Sequence, residues 1–183
     1  PDVTIKDINL QENILTINFS KELLEVNDKD EDKMIESIIY TLTSIDGIDK
    51  VIIKVEGEVL NKLPNSKTNI STVLDKSYGI NKSYDLSNLN DILSYTTYYT
   101  STYNDTKYYV PVTKYINSKD SDVVKIIIKE LGSSPIYQTN LMSYLNANTV
   151  LNDYELDNNK LKLNFNELLL NDLDKKNILE EVI

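Results

Sequence analysis

Residues 14–24 read ILTINFSKELL, and residues 160–170 read KLKLNFNELLL. Without a gap, Leu15, Ile17, Asn18, Phe19, Leu23 and Leu24 fall on Leu161, Leu163, Asn164, Phe165, Leu169 and Leu170. In each copy, apolar and polar residues alternate up to the Asn-Phe pair, the period of a strand with one buried face. The Leu-Leu close breaks that period, so the chain turns away after the phenylalanine. After a shortening of two residues, MIESII (34–39) falls on ILEEVI (178–183). Agreement through two separate blocks predicts two copies of one α+β unit rather than a solenoid, which needs more repeats.

Working outward, VTIKDIN (3–9) reads as a strand ahead of the first copy. Asn27–Asp32 is an acidic helix entry, with carboxylates near the positive end of the helix dipole. Ile35, Ile38, Ile39 and Leu42 then recur at i, i+3, i+4 and i+7, one face of a helix that should end before Gly47. Val51, Ile52, Ile53 and Val55 form a strand closed by Gly57. Residues 61–90 are rich in Asn, Ser, Lys and Asp and are punctuated by Pro64 and Gly79. They read as a linker or irregular connection, with Leu86, Leu89, Ile92 and Leu93 as a short helix or docking segment at its end.

Residues 95–115, YTTYYTSTYNDTKYYVPVTKY, place two runs of Tyr, Thr and Val around Asn104-Asp105-Thr106, a β-hairpin signature. Pro111 has no N–H for the ladder, so the second strand is expected at an edge or locally irregular. Asp120 or Ser121 caps a second helix carrying Val124, Ile127, Ile128 and Leu131. Gly132 fits a left-handed cap, and Pro135 follows. A short helix is expected at Leu141, Tyr144 and Leu145. Val150 and Leu151 open a strand, Asn158-Asn159 turn it, and Leu161, Leu163 and Phe165 form its partner. A closing helix carries Ile178, Leu179 and Val182.

The formal charge of −10 disfavours nucleic acid as a main partner and simple docking on anionic lipid. No Cys means no disulfide or thiolate chemistry, and no His removes the usual general base near neutrality and the commonest metal ligand. Arg, the bidentate clamp for phosphate and carboxylate, is absent as well. No stretch approaches the roughly 20 apolar residues that span a bilayer. Pro1 is not an initiator, so an export signal or anchor is expected to lie outside these residues.

NILTINFSKELL, an acidic gap, and MIESIIYTLTSIDGIDKVIIKVEGE together resemble the C-terminal half of the GerM domain, the sporulation and spore germination domain. Tyr40-Thr41-Leu42-Thr43 and Val51 through Gly57 carry most of the likeness. VPVTKYI, Asp122–Leu131 and YELDNNKLKLNFNELLL resemble the same domain from its N-terminal side. The resemblance implies small mixed or antiparallel sheets with helices on one face, similar to ring-building-motif domains. It implies that residues 1–62 are the C-terminal part of a first domain, 63–90 a connection, and 91–183 the N-terminal and central part of a second. The incomplete copies reflect either trimming or complementation within or between chains, the latter a homo-oligomer by domain swap.

The resemblance further implies a non-enzymatic assembly or scaffold factor of an endospore-forming bacterium, working in a ring or channel complex between mother cell and forespore. Such a factor is extracytoplasmic and membrane-anchored as a lipoprotein, with the anchor outside this chain. No cofactor or metal is expected. Ser residues have no His or Cys beside them, and no GxSxG or Gly-rich phosphate loop is present. Asp28, Asp30 and Asp32 alternate, but the Gly and distal Glu of a calcium loop are out of register, so they read as a solvated helix entry. Tyr98, Tyr99, Tyr103, Tyr108 and Tyr109 are the one candidate interaction surface. They are either strand filler that pairs across the hairpin or an aromatic platform for a protein partner or for peptidoglycan.

Overall fold

Four paired left-handed turns set the architecture. In Glu12-Asn13, Glu56-Gly57, Asn104-Asp105 and Asn158-Asn159 both residues have positive φ, the geometry of two-residue hairpins whose twist matches the strands they join. The computed structural model describes residues 2–120, 122–132, 140–143, 145 and 147–170. The chain divides into two compact units, Pro1–Asn81 and Lys82–Ile183.

In the first unit, β1 (Ile5–Gln11) turns through Glu12-Asn13 into β2 (Ile14–Phe19), and β3 (Lys50–Val55) turns through Glu56-Gly57 into β4 (Glu58–Val59). The sheet order is β1-β2-β3-β4. β2 and β3 are parallel, which demands a crossover, and α1 (Glu31–Leu42) supplies it. Alternation in β2 sends Leu15, Ile17 and Phe19 to one face. There they join Val51, Ile53 and Val55 of β3 and the fully buried Ile35 and Ile39 of α1 in a single core. Ile38 and Leu42 pack at its margin.

Residues 61–81 are irregular in backbone yet tied to this unit. Leu63 and Leu74 are buried in its core, and Leu74 bridges Val51 through paired backbone hydrogen bonds of 2.7 and 2.9 Å. The acidic side chains of α1 hold the rest. Buried Glu31 accepts from the backbone N–H of Asn65 at 2.6 Å and Ser66 at 3.1 Å. Tyr78 donates its hydroxyl to Asp32 at 2.5 Å, and Asn81 donates its N–H to Glu36 at 2.9 Å. Hydrogen bonds from Ser66 and Asn65 hold the Glu31 carboxyl below its ordinary range.

The second unit opens with a three-stranded sheet of order β5-β7-β6: β5 (Ser83–Asp85), β6 (Ile92–Tyr103) and β7 (Thr106–Asn117). Ile92 and Leu93 start the long strand β6 rather than a helix. Asn117 accepts from the N–H groups of Ser87 and Asn88, which turns the chain there and leaves Leu89 in solvent. Pro111 pairs with Tyr98 of β6. On the other side of β7, β5 reaches only Lys114 to Ile116, so the ladder needs no N–H from Pro111 there.

α2 (Val123–Leu131) is capped by Asp122, whose side chain accepts from the Lys125 N–H at 3.1 Å. Gly132 is not left-handed: its φ of −77° continues the helical turn, so its lack of a side chain is not needed for the cap. At Leu141 and Met142 the expected short helix is replaced by an isolated bridge. Met142 and Thr100 exchange backbone hydrogen bonds of 2.8 and 2.9 Å, which pairs the outer edge of β6 at Thr100. Pro135, Tyr144 and the expected closing helix lie outside the described residues.

β8 (Leu151–Asp157) and β9 (Lys160–Phe165) form a hairpin that repeats β1–β2 in detail. Ile5 pairs with Phe19 and Leu151 with Phe165. Both hairpins shift register between the first and third residues of the leading strand. Thr4 donates its N–H to Ser20 Oγ at 3.0 Å, and Val150 donates its N–H to Asn166 Oδ1 at 3.2 Å. Ser20 and Asn166 each return a backbone N–H to the carbonyl of Thr4 and Val150, and each begins a 3-10 turn, Lys21–Glu25 and Glu167–Leu170. The surroundings differ. Leu15 and Ile17 are 5% and 3% exposed, while Leu161 and Leu163 are 43% and 36% exposed.

Candidate interaction surface

The five tyrosines do not form one cluster. β6 and β7 pair in register along their whole length, and residues directly opposite each other share a face. Tyr98, Thr100, Tyr109, Pro111 and Thr113 therefore stand on one face, and Tyr95, Thr97, Tyr99, Tyr103, Tyr108 and Val112 on the other. Tyr99 is 0% exposed, against 54% for its neighbour Tyr98 and 52% for Tyr109. Tyr99 cannot belong to a recognition surface: it packs with Val112 and Leu141 in the core of the unit. Tyr103 and Tyr108 are exposed near the hairpin tip, on the face opposite Tyr98 and Tyr109.

The buried face carries a polar lock. Tyr99 donates its hydroxyl to Glu130 Oε1 at 3.1 Å, Tyr95 donates to Glu130 Oε2 at 3.4 Å, and Lys114 pairs with the same carboxylate. α2 is thereby joined to both strands of the hairpin. Burial raises the Tyr99 hydroxyl to about 12; nearby Thr97 opposes that rise, and the Glu130 charge adds to it. Burial and Glu130 raise Tyr95 as well.

The outward face presents Tyr98 and Tyr109 on either side of Pro111, with Thr96 and Thr113 hydrogen-bonded across the strands at 2.8 Å. Alternation continues this face to Tyr115, which stacks on Tyr84 of β5 with ring centroids 4.8 Å apart and planes at 17°. Sequence reasoning missed this pair. The period-two series Tyr109, Pro111, Thr113, Tyr115 was available to it. Tyr84 was not, because its place depends on a three-residue parallel pairing that no local pattern announces. Beside Tyr98 and Tyr109, along the outer edge of β6, lies a cavity of about 240 Å³.

Among the described residues no cluster of three His, Cys, Asp or Glu could hold a metal ion. Nor is any described helix long and apolar enough to cross a membrane.

Comparison with known proteins meets this geometry. A family model named Germane, described as sporulation and spore germination, matches residues 1–61 and 96–183. The spore germination protein GerM of Bacillus subtilis (strain 168) is 31% identical over 163 residues, covering 87% of this chain and 44% of that protein. The chain thus spans less than half the length of this relative. The solved tandem GerMN domains of the sporulation protein GerM from Bacillus subtilis superpose with a TM-score of 0.84 at 29% identity, over 91% of this chain and 60% of that one. The resemblance drawn from the strand, helix and strand of the first copy is confirmed in both sequence and fold: this chain belongs to the Germane family of sporulation and spore germination proteins.

Proposed function

We propose that this chain is a non-enzymatic assembly factor of sporulation or germination that recruits protein partners through the outward face of the β6–β7 hairpin. The observation that carries the reading is the pair of exposed rings, Tyr98 and Tyr109, beside half-buried Pro111 on a hairpin whose reverse face carries the buried Tyr99 and Val112. Tyrosine buries a large rigid ring and keeps a polar tip, which suits it to partner surfaces. In this proposal the factor works in a ring or channel complex between mother cell and forespore. It is exported and held at the envelope by a lipid anchor outside these residues.

The test places a photo-crosslinking residue at exposed position 102, on the same face of the hairpin, in sporulating cells. Discrete crosslinks to envelope proteins, lost in a Tyr98→Ala/Tyr109→Ala chain of unchanged thermal stability, support the reading. Recruitment unaffected by the double substitution overturns it. A second reading rests on the same exposed rings, which also suit stacking on the sugar rings of peptidoglycan. Co-sedimentation with purified wall material, abolished by the same substitutions, would favour it.

A further inference from the structure

Among the described residues, the most exposed large apolar side chain is held out rather than left out. Leu89 is 86% exposed, in the loop 86–91 between β5 and β6. A lone leucine on a loose loop is ordinary, but this loop is built. Asn117 Oδ1 accepts from the N–H of Ser87 at 2.7 Å and of Asn88 at 3.3 Å, and its Nδ2 donates to the carbonyls of Asn88 at 3.1 Å and Asn90 at 2.6 Å. The Asn90 N–H closes on Asn88 Oδ1 at 2.8 Å, and Ser118 donates its N–H to the Asp91 carbonyl at 2.9 Å. The backbone on both sides of Leu89 is thereby tied through one side chain.

Its place in the sheet gives the loop a direction. Ile92 pairs with Asn117, and both fall an even number of residues from Tyr98 and Tyr109, so alternation puts them on the same outward face. Ile92 and Tyr84 are exposed there. A free loop would fold Leu89 back over these apolar groups, because burial is favourable. The Asn117 bonds hold it away instead. Leu86 and Leu93, grouped with Leu89 by sequence spacing, are half-buried, so the group divides. The rim then selects the occupant. Asp85 and Asp91 stand exposed at the two ends of the loop, and residues 83–91 hold no lysine. Those carboxylates repel an anionic lipid surface, and one leucine is too little apolar area to hold a chain on a bilayer. An aliphatic tip offers a glycan no hydrogen bond. A convex apolar tip between carboxylates is complementary to an apolar pocket with a basic rim.

We infer that Leu89 is a pre-ordered anchor that enters an apolar pocket of a partner protein, with Lys or Arg at the pocket's rim meeting Asp85 and Asp91. An anchor ordered before contact loses little conformational freedom on docking, and the Asn117 bonds supply that order. The inference rests on the proposed assembly role and adds a second contact at the base of the face that carries Tyr98 and Tyr109.

The test places a photo-crosslinking residue at position 90 in sporulating cells; Asn90 bonds through its backbone, so the loop keeps its ties. A discrete protein crosslink is expected. Leu89→Ala, at an exposed site that leaves the fold intact, should cut it about tenfold, the scale of a lost anchor. Leu89→Met should retain it, and Asp85→Asn/Asp91→Asn should weaken it. Asn117→Ala should speed amide exchange at Ser87 and Asn88 and lower the yield with Leu89 still in place. No discrete crosslink, equal yield in Leu89→Ala, or a yield unchanged by removing the charges or freeing the loop would each overturn the proposal. Leu89-dependent flotation of the purified chain with phosphatidylcholine or phosphatidylglycerol vesicles would overturn it in favour of a lipid surface. If Leu89→Ala leaves the crosslink at 90 intact while Tyr98→Ala/Tyr109→Ala abolishes those at 102, this inference falls and the assembly reading stands. The converse keeps the anchor and moves recruitment off the hairpin face. If both fail, both fall.

Discussion

Tyr98 and Tyr99 are adjacent in sequence and do opposite work. Tyr99 fills the core and locks α2 through Glu130, so Tyr99→Ala should cost about 3–5 kcal/mol, the range for deleting a buried aromatic ring. Tyr98→Ala, on the exposed face, should stay within about 0.5 kcal/mol. Denaturant titration of both variants checks the contrast, and a large loss from Tyr98→Ala would assign that ring a packing role. The Tyr95 and Tyr99 hydroxyls also set a pH limit. Both are raised in the folded state, so below their unfolded pKa they are neutral in both states and stability is at its full value. Above roughly pH 10 the unfolded chain releases these protons first. Stability should therefore fall as pH rises toward about 12, and Tyr99→Phe should flatten the decline. Unfolding free energy followed across this window, with no change between the two chains, would contradict the assignment.

At the scale of elements, the repeated hairpin depends on a latch as much as on its apolar face. Ser20 and Asn166 differ chemically, yet each closes the mouth of its hairpin by accepting the N–H of the residue before the first strand. Ser20→Ala and Asn166→Ala should each cost about 1 kcal/mol locally. The direct readout is faster hydrogen exchange at the Thr4 and Val150 amides, and an unchanged rate would show that the latch contributes nothing. This equivalence was half legible in the sequence. The alternation of Leu15, Ile17 and Phe19, the Asn158-Asn159 turn and the Asn104-Asp105 turn are local patterns, and they read correctly. The match of Ile5–Gln11 with Leu151–Asp157 is hidden because the paired positions share geometry more than chemistry. The irregular residues 61–81 were opaque for another reason. They are held by Glu31, Asp32 and Glu36 reaching distant N–H and hydroxyl groups, contacts with no sequence period. Leu141, Tyr144 and Leu145 read as a short helix because three apolar residues cannot separate a helical turn from a bridging strand. Within the candidate surface, period-two alternation already puts Tyr98 and Tyr99 on opposite faces. Which face is covered depends on where α2 lands.

At the scale of the whole molecule, the two units differ in how much they bury. Twelve buried residues form one core in the first, contributed by β2, β3, α1, residues 61–81, Leu23 of the 3-10 turn and Ile48 of the loop before β3. In the second, the described core of Tyr99, Val112 and Leu141 is smaller and leans on the Glu130 lock. Slowest hydrogen exchange is therefore expected at β2, β3 and the Ile35–Ile39 stretch of α1, with faster exchange in β8 and β9. The reverse order would mean that the polar lock outweighs apolar burial.

The matched hairpins also make the protein its own control. Phe19 and Phe165 share a pairing partner position, a bulge and a following 3-10 turn, but among the described residues Phe19 alone belongs to a buried core with a helix over it. The same truncation made once at each site holds backbone geometry and hairpin chemistry constant. What remains after subtraction is the difference between the two surroundings, measured within a single polypeptide under one set of conditions.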